Sequence, residues 1–132
     1  MNVLTATAFV VRHHGIARGW GGRVVLPWLR WFADDGRLAH VTDSRGRLVA
    51  VGAARCVFHP DDARKPYAHD ESAPVVFVDL VVSRARGALA ALWGALRTRF
   101  GARARIVWQR PRGAEAFRSF AFGRAERHLA YG

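Results

Sequence analysis

Residues 74–82, Pro-Val-Val-Phe-Val-Asp-Leu-Val-Val, constrain the fold more than any other part of the chain. The run is rich in β-branched residues and does not alternate with polar ones, which reads as a strand buried on both faces. It is followed at once by Ser-Arg-Ala-Arg-Gly and then by Leu89, Leu92, Trp93, Leu96 and Phe100, spaced as one face of an amphipathic helix that ends at Gly101. Ser83 is the expected cap of that helix. Ala-Arg-Ile-Val-Trp-Gln, at 104–109, is the next strand. A strand, a helix and a strand in this order demand a parallel crossover, right-handed by the usual chirality of such units.

The segments on either side fit this centre. Residues 36–58 hold two β-rich runs separated by Asp43-Ser44-Arg45-Gly46, a hairpin signal. Before them, residues 27–36 predict a short helix with Pro27 in its first turn, Trp28, Trp31 and Phe32 at helical spacing, and Gly36 just past its end. Residues 59–74 combine three prolines with clustered acids and read as a loop. Residues 113–122 predict a second short helix and 124–132 a last strand. The expectation is a single α/β (α+β) domain spanning residues 1–132. Its mixed sheet has an antiparallel hairpin leading into a central parallel strand pair, with helices on both faces.

Composition narrows the setting. The 132 residues are 51% hydrophobic, enough for a real core. No run of eighteen uncharged apolar residues is present and the first residues do not form a secretory signal, so the expectation is a cytoplasmic protein without a membrane span. The lone Cys56 agrees with a reducing compartment and reads as a small buried hydrophobe. Net charge is +11, and every basic residue except Lys65 is an arginine. A field of this sign favours acidic partners, and the guanidinium fork suits phosphate.

An acid in the most apolar strand needs a reason, because an unpaired buried carboxylate is costly. Alternation places Val75, Phe77, Asp79 and Val81 on one face. Two readings of Asp79 stand side by side: a salt bridge to an arginine such as Arg105, or a carboxylate that orients a histidine and raises its basicity. His13 and His14 close an early apolar run, and in an extended segment only one of them would face a given site. His59 with Asp61, and His69 with Asp70, lack a zinc-ligand spacing, so no metal site is expected. Ser83, Arg84, Arg86 and Gly87 form a basic turn where free N–H groups and the helix dipole favour an anion such as phosphate.

The order of hairpin, central strand, phosphate-type turn, helix and strand resembles the GNAT acyltransferase fold, whose Gln/Arg-x-x-Gly-x-Gly/Ala turn is matched by Arg84 and Gly87, with Leu89 at the last small position. A closer resemblance is to the RTX toxin-activating lysine acyltransferases. His13, Val25-Leu26-Pro27, the hairpin, Phe77-Val78-Asp79 and Gly87-Ala88-Leu89 occur in that family's order, over roughly residues 10 to 123. The family's Pro-Phe-Gly after the aspartate is replaced here by Val-Val-Ser-Arg-Ala-Arg-Gly. The resemblance implies transfer of a fatty acyl group from acyl carrier protein, or acyl-CoA, to lysines of a protein substrate, with no tightly bound cofactor. It assigns His13 as general base or acyl acceptor, with His14 as the alternative, Asp79 as its partner, and Ser83, Arg84, Arg86 and Gly87 as the donor-binding turn.

Two other uses of the same features compete. A non-catalytic GNAT-like protein of a phage or mobile element could keep the scaffold for assembly. A nucleic-acid binder could use the arginines at 97, 99, 103, 105, 110, 112 and 118, which crowd Trp108 and Phe117. Trp20 and Trp28 are expected in the core, with a homodimer face as the alternative.

Overall fold

The computed structural model describes residues 1–101, 105–109 and 117–120, with Gln109 and residues 117–120 described by their backbone. The chain opens on three helices, α1 (Val3–His13), α2 (Gly15–Trp20) and α3 (Gly22–Ala33). Asn2 starts α1 by accepting the Thr5 N–H at 2.8 Å, and Ala6 and Val10 turn their side chains inward. The segment before the two histidines is therefore helical and not extended. Its β-branched residues masked a cap and a spacing that both favour helix.

Helix α3 is longer than the predicted one and begins at Gly22, so Pro27 lies inside it and not in its first turn. A proline there removes one backbone bond, at a cost of about 3 kcal/mol. Burial of Val25, Leu29 and Phe32 against the sheet offsets that cost. Trp28 packs against the same core as expected, whereas Trp20 is 50% exposed and outside it.

Five strands follow in a single mixed sheet: β1 (Leu38–Thr42), β2 (Leu48–Val57), β3 (Val75–Ser83), β4 (Arg105–Gln109) and β5 (Phe117–Phe120), in spatial order β1-β2-β3-β4-β5. β3 and β4 are parallel and all other pairs antiparallel. The hairpin between β1 and β2 is closed by the Asp43 carboxylate, which accepts the N–H groups of Arg45 and Arg47 at 2.9 Å each. The predicted helix over 113–122 is overturned at 117–120, where the backbone pairs with β4 as a strand. The rest of that helix and the predicted last strand at 124–132 lie outside the described residues.

Helix α4 (Ala88–Phe100) makes the crossover from β3 to β4. Ser83 does not cap it. Ser83 ends β3, and the N-cap is Gly87 at φ 79°, a left-handed conformation that only glycine adopts without strain. Leu92, Trp93, Leu96 and Phe100 form its buried face, with Leu89 at the margin. The helices cover both faces of the sheet: α1 and α3 pack on Val51, Ala53, Leu80 and Val82, and α4 on Ala54, Cys56, Val76 and Val78.

Those contacts reveal a break in the alternation of β3. Ala53 pairs with Leu80 and its neighbour Ala54 with Val78, leaving Asp79 as an extra residue in a β-bulge. Beyond the bulge the faces exchange, so Val81 packs towards α4 and does not share the face of Phe77 and Asp79. Among the described residues no helix is long and apolar enough to cross a membrane.

Candidate functional site

Asp79 is paired, and its partner is Arg55 of β2, not Arg105. Arg55 Nε donates to one carboxylate oxygen at 3.1 Å and Nη2 to the other at 3.0 Å. The remaining guanidinium hydrogens go to the carbonyls of Ala63, Lys65 and Ala68 in the loop after β2. All five donors of the fork are thus used. The two side chains are 6% and 11% exposed. Burial pushes the Asp79 carboxyl up to about 6, against the pull of Arg55. The bulge aims the carboxylate at the guanidinium, and this centre ties a loop to the sheet.

His13 ends α1, half-buried, with its ring edge-to-face on Phe9 at 4.8 Å between centroids. Its pKa is lowered by desolvation and then by the positive charges of Arg84, Arg12 and Arg18. Among the described residues no hydrogen bond occupies either ring nitrogen. The lowered pKa favours the neutral imidazole, which has a basic nitrogen available. His14 is spent differently: its Nδ1 accepts the Ala17 N–H at 3.2 Å and caps α2.

The basic turn is held by the Arg84 N–H, which donates to the Val49 carbonyl at 2.8 Å. Arg84, Arg86 and Gly87 are exposed, and no side chain caps the start of α4. Ser83 Oγ reaches only the Ala85 carbonyl, at 3.5 Å. The structure thus places Arg84, from a distant part of the chain, near enough for its charge to lower the His13 pKa. It does not bring His13 to Asp79: the charges acting on the histidine are all arginines, and those acting on the aspartate are Arg55 and Arg37.

A third group of polar residues was not singled out from the sequence. His69 Nδ1 accepts the Cys56 N–H at 2.9 Å and its Nε2 lies 2.9 Å from Glu71 and 3.5 Å from Asp35. Arg99 binds both Glu71 oxygens at 2.6 and 3.1 Å, and Arg37 donates to Asp35 at 3.1 Å while stacking on Trp31. Donor atoms of Asp35, His69 and Glu71 lie within 4.8 Å of one another, as a metal site would need. The chemistry does not fit a metal. The backbone donor at Nδ1 places the ring proton on Nε2, the atom that would have to ligate, and both carboxylates already neutralise arginines. The group is a clamp between the 59–74 loop, the turn before β1 and α4.

Arg55 was legible in principle, as the one charge in the apolar run Val-Gly-Ala-Ala-Arg-Cys-Val. Pairing that run against β3 would have set it beside Asp79. Of the arginines proposed to crowd Trp108, Arg99 is engaged with Glu71, and those at 103, 110 and 112 lie outside the described residues. Compared with protein-family models, with the curated proteins and with the solved structures, the chain matches none.

Proposed function

We propose that this protein is an acyltransferase of GNAT-like architecture that transfers an acyl group from the thioester of an acidic, phosphopantetheine-bearing donor to a lysine. The observation that carries this reading is that Arg84, in the turn leading into the uncapped start of α4, lies near enough for its charge to act on His13. A base and an anion-binding turn are what such a transfer needs side by side. His13, its pKa lowered by desolvation and then by its arginine neighbours, takes a proton from the attacking amine. The new C–N bond forms as the C–S bond breaks, and the thiolate leaves as a thiol by taking the proton back from His13. Arg84, Arg86 and the backbone of Gly87 receive phosphate, and the net charge of +11 steers an acidic carrier to the site. Asp79 serves the scaffold in this scheme, and His13 acts without a carboxylate partner.

The saturation of Asp79 by Arg55 favours a second reading, in which the same edge binds the acidic partner and performs no chemistry. Transfer of labelled acyl groups from acyl carrier protein to a lysine-containing protein separates the two. The acyltransferase reading expects transfer that falls ~100-fold or more in His13→Ala while carrier binding persists. Carrier binding without transfer in the unaltered protein supports the second reading, and absence of both removes the two together.

A further inference from the structure

The layer formed by α1, α2 and α3 has an outer side that the acyl-transfer reading uses only around His13 at the end of α1. Val25, Leu29 and Phe32 of α3 and Ala6 and Val10 of α1 face the sheet. Away from the sheet a groove of about 480 Å³ runs between α1 and α3, lined by Leu4, Ala8, Val11 and Leu26 and by Arg12 and Arg23. Leu4 is 61% exposed and Val24 52%, and α2 adds Ile16 at 61% and Trp20 at 50%. Each of the three helices thus exposes at least one large apolar side chain, and Leu4 among them lines the groove.

Charge selects the partner. Residues 1–33 hold Arg12, Arg18, Arg23 and Arg30 and no aspartate or glutamate, although the whole chain has ten acids. All four arginines are exposed. The large exposed apolar residues on α1, α2 and α3 are aliphatic with a single tryptophan, the composition of an interfacial helix face. Aliphatic side chains, interspersed arginines and a tryptophan on helices that do not span describe an interfacial surface.

We propose that the outer side of the α1–α3 layer docks on an anionic lipid bilayer, its aliphatic groups entering the headgroup boundary and its arginines meeting the lipid phosphates. This rests on surface chemistry alone and stands whether or not the protein transfers acyl groups. The test is flotation of the full chain, at physiological salt, with vesicles of phosphatidylcholine alone or with phosphatidylglycerol added. Binding is expected only to the anionic vesicles. Arg23→Gln and Arg30→Gln should each weaken it roughly fivefold. Leu4→Ser combined with Val24→Ser, both at exposed positions, should abolish flotation while circular dichroism stays unchanged. Arg45→Gln, in the distant β1–β2 hairpin, should leave binding intact. The proposal is overturned if no vesicles are bound. It is also overturned if Arg45→Gln costs as much as Arg23→Gln, which would reduce the effect to net charge, or if these substitutions leave flotation unchanged and disrupt binding to acyl carrier protein.

Discussion

Arg55 and Asp79 stand on adjacent antiparallel strands, joined by two hydrogen bonds of 3.0 and 3.1 Å beside a bulge that Asp79 itself creates. The arginine is the hub of this arrangement, because its other hydrogens hold three carbonyls of the loop at 63–68. A buried pair of this kind costs desolvation on both sides. Its geometry offsets part of that cost by leaving no donor of the guanidinium unpaired, while desolvation still holds the Asp79 carboxyl at about 6.

Arg55→Ala should therefore destabilise the fold by about 3–5 kcal/mol, since it strands a buried carboxylate and frees the loop carbonyls. Denaturant unfolding measures the loss. Limited proteolysis at Lys65, now in a released loop, should accelerate at the same time. Unchanged cleavage would show that the loop is held by something else.

Asp79 should leave a pH signature of unusual sign. Its folded pKa of about 6 exceeds the ordinary 3.8, so between those values the native state holds a proton that the unfolded chain has released. Its ionisation thus costs stability above pH 6, and acidification through this window restores it. Relative to Asp79→Asn, the unaltered protein should gain on the order of 2–3 kcal/mol as pH falls from about 6 to about 4. A constant difference across urea titrations would refute the assignment.

Glu71 should act in the opposite direction. The Arg99 guanidinium holds its carboxyl at about 2, below the ordinary 4.5, so its contribution is present above pH 4.5 and is lost as pH falls towards 2. Glu71 is half exposed, which keeps the effect small. Glu71→Gln should flatten the acid limb of the stability profile below pH 4.5, and an unaltered limb would contradict the clamp.

His13 gives a direct test of its surroundings. Arg84 lowers its pKa through space, so Arg84→Gln should raise it, and NMR titration of the imidazole reads the shift. No change would mean that the turn and the end of α1 do not meet.

The contact between β2 and α4 depends on a missing side chain. A Cβ at Gly52 would come within 3.0 Å of Leu92 Cδ2, in a side chain that is only 1% exposed. Gly52→Ala should cost about 1–3 kcal/mol. Adding Leu92→Ala should give less than the sum of the two single losses, as expected where one clash underlies both.

The sequence by itself determined the centre of the fold: the strand at 75–83, the helix face from Leu92 to Phe100, the parallel return at 105–109 and the hairpin before them. These rest on local periodicity and turn chemistry, which are written in consecutive residues. The helix ending at His13 and the strand at 117–120 went the other way, because β-branched and aromatic residues suit either state until packing decides. The basic turn at 84–87 was legible for the same local reason as the hairpin.

Tertiary structure alone decided what those residues face. One extra residue in β3 reverses the alternation at Asp79, and no periodicity announces a bulge that depends on the neighbouring strand. The partner of Asp79 lies 24 positions away at Arg55, and the charge of Arg84 reaches His13 only because α1 is folded over the sheet. Pairing across such separations is set by burial and by the number of hydrogen bonds each charged group can collect. Those quantities belong to the assembled chain and to no segment of it.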